Sequence, residues 1–160
     1  MPARCFILLI GALLASCQSS VVSPRLACVI TIPQDPVTLR YGFDGFGRVG
    51  QTTDPGPIPC VRRLSEQDQL CLEDQIATLG LEAPPESVVL ATPCPLGMVQ
   101  VDLAANGRRW SHRLPQEQAE ELLRFCQRCT GQGGGAELPN ARYAWEGDPW
   151  AIWRQGQSSD

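Results

Sequence analysis

Three groups of residues have the types and spacing for chemistry. The first is Gly45-Phe46-Gly47-Arg48-Val49-Gly50, a G-x-G-x-x-G string. In dinucleotide-binding folds such glycines sit between a strand and a helix N-terminus whose amides meet a pyrophosphate. Here Pro55, Pro57 and Pro59 stand where that helix would run. Prolines delete backbone donors and force extended geometry, so the sequence predicts a glycine turn or bulge and no nucleotide. The second group is Cys126-x-x-Cys129. A redox pair needs a helix N-terminus to stabilise its thiolate, and this pair falls at a helix C-terminus. A zinc site needs two further ligands, and no second C-x-x-C or H-x-x-x-H accompanies it. The third group is the single histidine, His112, with the neighbouring carboxylates Glu120 and Glu121. His112 alternates with Trp110 and Leu114 and reads as a partly buried, hydrogen-bonded side chain. Adjacent helix residues point about 100° apart, so the two glutamates read as a solvated face. No catalytic residue, metal ligand or cofactor is assigned.

The elements that would position these residues follow from pattern. Residues 28–32 and 37–43 are β-branched and aromatic, and read as strands. Residues 52–60, with three prolines, read as loop. Ser65 caps a helix over 65–79, with Asp68 at the capping-box position, Leu72, Ile76 and Leu79 on one face, and Gly80 as its stop. Residues 87–92 form a short apolar strand. Val99, Val101 and Leu103 alternate with polar residues over 98–104. Asn106-Gly107 then turns the chain, and 108–114 returns with Trp110, His112 and Leu114 on one face. A second helix is predicted from Pro115 to Cys129, with Ala119, Leu122, Leu123 and Cys126 as its buried stripe. A glycine run, 131–135, leads to a tail carrying Trp145, Trp150 and Trp153. The fold expected is α+β: one domain over 28–130, an antiparallel sheet with two helices on one face, followed by a linker and tail over 131–160.

The N-terminus sets the compartment. Arg4 precedes an apolar run of 11 residues, Cys5 to Ala15, too short for the about 20 that a membrane span needs. Small residues then lead to Cys17. The segment Leu14-Ala15-Ser16-Cys17 resembles the lipobox of bacterial lipoproteins. That resemblance implies a signal peptide over 1–16, cleavage before Cys17, and diacylglycerol on its sulfur with a fatty acid such as palmitate on the new amine. Residues 17–27 would be the tether. Gln18, in place of Asp, implies the outer membrane in a host with two membranes.

Export shapes the other expectations. Without Arg4, the chain has 12 arginines against 17 acidic residues and no lysine. Such a chain has no basic cluster for nucleic acid. Cys28, Cys60, Cys71, Cys94, Cys126 and Cys129 remain after the leader and tether. An even set in an exported chain predicts up to three disulfides, without choosing the pairing. The tryptophans of the tail would either cover one face of the sheet or anchor a partner.

The order strand, glycine loop, helix, hairpin, helix over 37–129 is similar to emfourin-type proteins, small bacterial inhibitors of thermolysin-like metallopeptidases. The residues that carry this are LRYGFDGF (39–46), RRLSEQDQLCL (62–72) and VQVDLAANGRRW (99–110). The resemblance implies protein binding, not catalysis. The expected function is therefore a membrane-anchored, non-enzymatic module that binds an envelope or secreted protein, with Phe43 and Phe46 at an apolar tip. The second expectation is an envelope structural or assembly lipoprotein that engages its partner through the tail.

Overall fold

The computed structural model describes residues 25–84, 92–131 and 137–144. Within them, strict alternation builds the sheet. In β1, Ala27–Pro33, the side chains of Cys28, Ile30 and Ile32 point one way and those of Ala27, Val29 and Thr31 the other. All six are buried, as in a strand covered on both faces. A turn closed by Gln34 N–H donating to Val37 O at 2.8 Å, with a cis Asp35–Pro36 bond, leads to β2, Thr38–Phe43. After β2 come β3, Arg48–Thr52, and β4, Ile58–Arg63. The helix α1, Glu66–Thr78, follows. β5, Met98–Ala105, and β6, Arg108–Pro115, form the expected hairpin. Asn106 and Gly107, at φ 51° and 72°, supply the two positive values that a two-residue turn needs. The helix α2, Glu120–Thr130, and the strand β7, Glu137–Ala144, complete the described chain.

The strands form one antiparallel sheet in the order β6-β5-β1-β2-β3-β4-β7. Both helices pack on the same face, where Cys28, Ile30, Phe43, Val49, Val101, Leu72, Ile76, Leu122 and Phe125 share one core. The expected α+β architecture is present. Ser65 caps α1 by accepting from Asp68 N–H at 3.0 Å. The helix ends in a Schellman pattern: Leu81 N–H donates to Ile76 O and Gly80 N–H to Ala77 O, with Gly80 at φ 68°. On α2, Phe125 stacks on Phe43 with centroids 6.1 Å apart, and the Arg128 guanidinium lies 5.1 Å from the Phe125 ring centre. Glu120 and Glu121 pair with Arg124 at 2.5 and 2.7 Å on the solvated face expected of them.

The sheet is strongly curled. Three strands separate β1 from β7, which in a flat sheet would hold them roughly 19 Å apart. Their Cα atoms instead come within 8 Å, and β7 approaches β2 as closely. β4 and β7 therefore fold over the sheet face opposite the helices. Gly50 permits this, because a Cβ on it would lie 1.9 Å from Pro59 O. Cys60 then donates to Gly42 O at 3.3 Å and packs with Val29 and Ile58.

Several expectations are corrected. Residues 58–60 belong to β4 despite the prolines. The β3–β4 ladder is confined to Arg48↔Arg63 and Val49↔Arg62, so Pro59 sits where β4 has left it and needs no N–H toward β3. The helix expected from Pro115 begins at Glu120. Pro115 still pairs with Met98, and two tight turns, Gln118 N–H to Pro115 O and Ala119 N–H to Gln116 O, lead into α2. The sheet also extends to 137–144, inside the span assigned to linker and tail. Disulfide bracing is absent: Cys28, Cys60, Cys71, Cys94, Cys126 and Cys129 are free thiols. Cys28, Cys71, Cys126 and Cys129 sit with the helix-side core, whereas Cys60 lies beyond the sheet. The strand expected at 87–92 lies outside the described residues, apart from its last residue, Thr92, which is a bend.

Candidate binding cleft

The glycine string resolves into a hairpin turn and a close approach. Asp44 Oδ1 accepts from Phe46 N–H at 2.8 Å and from Arg48 N–H at 3.0 Å, closing the turn from β2 to β3. Gly45 and Gly47, at φ 76° and 82°, take the left-handed conformations that such a turn requires. A strand, not a helix, follows. The turn is also packed: Gly45 O accepts from Arg25 N–H, and Gly47 O from Leu64 N–H. Phe43, expected at an apolar tip, lies 1% exposed in the core against Phe125. Parity explains this: Phe43 shares its strand face with Tyr41, which points at the helices. Phe46 is half-buried. Cys17, Trp145, Trp150 and Trp153 lie outside the described residues.

The thiols are quiet. Burial pushes the Cys28 thiol far up, with Asp102 adding to it. Burial likewise raises Cys126, with Cys28 and Cys129 nearby reinforcing the shift. Cys129 is pushed up to about 11, mainly by burial, then by Asp68. Each is held as neutral thiol near pH 7, which suits packing and not nucleophilic attack. His112 sits where its alternation placed it and donates from Nε2 to Ala83 O at 2.8 Å. Among the described residues, no group of three or more His, Cys, Asp or Glu is placed to hold a metal ion, and no helix is long and apolar enough to cross a membrane.

The face turned away from the helices carries the feature that the motifs did not announce. Register aligns Arg113, Gln100, Thr31, Arg40 and Thr52 in one transverse row across β6, β5, β1, β2 and β3. Each of the first four alternates along its strand with a residue of the helix-side core. All of the row but Thr52 lines an open cleft of about 670 Å³, within the usual size of ligand sites. Pro33, Pro36 and Val37 border it on one side, Asp54 and Pro55 on another, and Pro93 and Cys94 on a third.

Its polar groups are held in a network. Asp102 accepts from the Ser111 hydroxyl and from Gln100 Nε2, at 3.1 and 3.2 Å for the latter. This fixes the Gln100 amide so that Oε1 accepts from Arg113 Nε and Nη2 at 3.0 and 2.9 Å. Arg113 also donates from Nη1 to Thr92 Oγ1 at 3.2 Å and from Nη2 to Thr92 O. Arg40, 4% exposed, donates to Gly56 O at 2.8 Å and to Asp54 O, tying the β3–β4 turn to the cleft. Between them stands Thr31, 8% exposed, whose buried Oγ1 has no hydrogen-bond partner. Leaving such a group unsatisfied costs on the order of 1–3 kcal/mol. Burial raises the Cys94 thiol, with Arg113 opposing and Asp102 adding to the shift, so it is no activated nucleophile. The floor offers donors and charge, which bind and orient.

Sequence reasoning passed over Thr31, Arg40, Gln100 and Arg113. A signal existed for Thr31, Arg40 and Gln100, each a polar residue flanked along its strand by apolar ones. Only strand order and register turn four such residues into one row. Comparison with protein families, with curated proteins and with solved structures returned no match to this chain.

Proposed function

We propose that the chain is a lipid-anchored protein of the cell envelope that acts as a non-enzymatic protein-binding module. The address rests on Arg4, the short apolar run and Leu14-Ala15-Ser16-Cys17, with Cys17 as the lipidated residue. The binding role rests on one observation: an open cleft lined by Arg113, Arg40, Gln100 and Thr31, on the sheet face that the helices leave uncovered. A rigid sheet holding hydrogen-bond donors in register supports recognition without reorganisation. Replacing Cys17 by alanine should release the protein from membranes and end fatty-acid labelling. Retention of both would remove the anchor from the proposal.

Peptidase inhibition is the specific form that the emfourin resemblance implies. The purified chain would then block a thermolysin-like metallopeptidase, with Phe46→Ala weakening the block. Inertness against a peptidase panel would discard this form while leaving the cleft in place.

A second reading has the tail engage an envelope partner as an assembly lipoprotein. One observation favours it: Ala144 pairs with Ile58, beside the turn that borders the cleft, so the tail with Trp145, Trp150 and Trp153 starts there. Cutting the chain after Ala144 should then abolish co-purification of that partner, and an unchanged pull-down would refute it.

A further inference from the structure

We infer that the chain's own segment 145–153 lies in the cleft across β6, β5, β1 and β2, with an indole stacked on the Arg113 guanidinium. The inference rests on the binding-module reading and adds what fills the cleft before a partner arrives. The partner must then displace this segment.

The place where the chain leaves the sheet carries the first argument. β7 runs antiparallel to β4, and its last residue, Ala144, pairs with Ile58, the first of β4. The chain at Ala144 is therefore heading for the turn that precedes Ile58. That turn is a wall of the cleft: Asp54 and Pro55 line it, and Gly56 O accepts from Arg40, another lining residue, at 2.8 Å. From Arg40 on β2 to Arg113 on β6 is three strand steps, about 14 Å in a flat sheet. The nine residues from Trp145 to Trp153 span up to about 30 Å when extended, enough to cross the row.

The chemistry of the cleft carries the second argument. A guanidinium has five N–H donors, all in its plane. Four of those of Arg113 are engaged, by Gln100 Oε1 twice, Thr92 Oγ1 and Thr92 O. Arg113 lines the cleft half-buried, so with its edge donors engaged it offers chiefly its flat face. A planar cation pinned along its edge is a platform for an aromatic ring. The border beyond is apolar: Pro33, Pro36 and Val37, which at 44% is one of three exposed large hydrophobic residues among those described. An indole suits both surfaces, because its ring stacks on a cation and covers apolar atoms alike. Three of the four tryptophans in the chain lie in 145–153, and the fourth, Trp110, is held on the helix side by its bond to Leu81 O. The short connection through Ala144 also gives these rings an effective concentration on the order of millimolar at the cleft.

The test applies two reagents to the purified full chain. Iodoacetamide labelling, read by mass spectrometry, reports on Cys94, which lines the cleft and is half-buried. Cys94 should react at least fivefold more slowly than in the full-length variant Trp145→Ala/Trp150→Ala/Trp153→Ala. Cys71, half-buried on the helix side, should react equally in both. Acrylamide quenching of fluorescence reports on the indoles themselves. Val37→Asp, at an exposed position on the apolar border, should at least double the quenching constant with the circular dichroism unchanged. Equal Cys94 labelling in the native chain and the triple variant overturns the inference and leaves the tryptophans to a partner. Quenching that Val37→Asp does not alter overturns it as well. So does Cys94 protection that fades on dilution, which would give the cleft to the tail of a second copy. These failures leave an open cleft and the binding-module reading intact. That reading fails instead if the triple variant, its cleft open, takes up no envelope or secreted protein.

Discussion

At the scale of single residues, Gly50 is the most tightly confined of the described glycines. With its Cβ position 1.9 Å from Pro59 O, alanine there must push β4 off the sheet. Overpacking of this kind costs about 3 kcal/mol, and we expect Gly50→Ala to lower the denaturant midpoint accordingly with the m-value unchanged. The buried thiols make a different prediction. Cys129 rises from its ordinary 9.0 to about 11 in the folded chain, because burial disfavours its thiolate. A folded-state pKa above the unfolded one contributes stability that is whole below pH 9 and is lost as pH climbs toward 11. Thermal melts should therefore fall across that window, and Cys129→Ala should flatten the fall. A slope identical in the variant would assign the alkaline loss to other groups.

At the scale of elements, each helix is held by a different force. α1 is set by its ends, the Ser65 cap and the Gly80 stop. Ser65→Ala should cost about 1 kcal/mol in chemical denaturation. α2 is set by its buried face, where Phe125 fills the space over Phe43. Phe125→Ala should cost about 3–5 kcal/mol, enough to threaten folding. The ratio of the two losses checks the assignment, and equal losses would contradict it. β7 changes how the tail must be probed. Because residues 137–144 pair with β4, deletion of 136–160 removes a strand of the sheet, whereas a cut after Ala144 spares the ladder. We expect the longer deletion to lower the Tm more than the shorter one, measured by circular dichroism.

At the scale of the whole molecule, the curl of the sheet separates two surfaces with different tasks. The helix side is closed by side chains from both helices and from β1, β2, β3, β5 and β6. Among the described residues, the other side is closed where β4 and β7 fold across, and the polar end over β5, β6 and part of β1 and β2 is open as the cleft. A protein fixed to a membrane by Cys17 would present this face on a tether that ends before Arg25, whose N–H is bonded to Gly45 O, and Ala27, where β1 begins. Local membrane concentration would then raise its occupancy without any new contact.

Period and turn chemistry made much of the architecture legible in the sequence alone. The β5–β6 hairpin followed from alternation and Asn106-Gly107, and α1 from Ser65, Asp68 and Gly80, because those signals act between residues close in the chain. What the sequence left undetermined depends on pairs far apart in number. The prolines at 55, 57 and 59 read as loop until register put Pro59 outside the β3–β4 ladder. Phe43 read as a tip until the strand face it shares with Tyr41 placed it under Phe125. Six cysteines read as disulfides, yet the sheet stands between Cys60 and the four on the helix side. The cleft was the least legible of all. Thr31, Arg40, Gln100 and Arg113 are ordinary polar positions on four strands, and only the order in which those strands pair makes them neighbours.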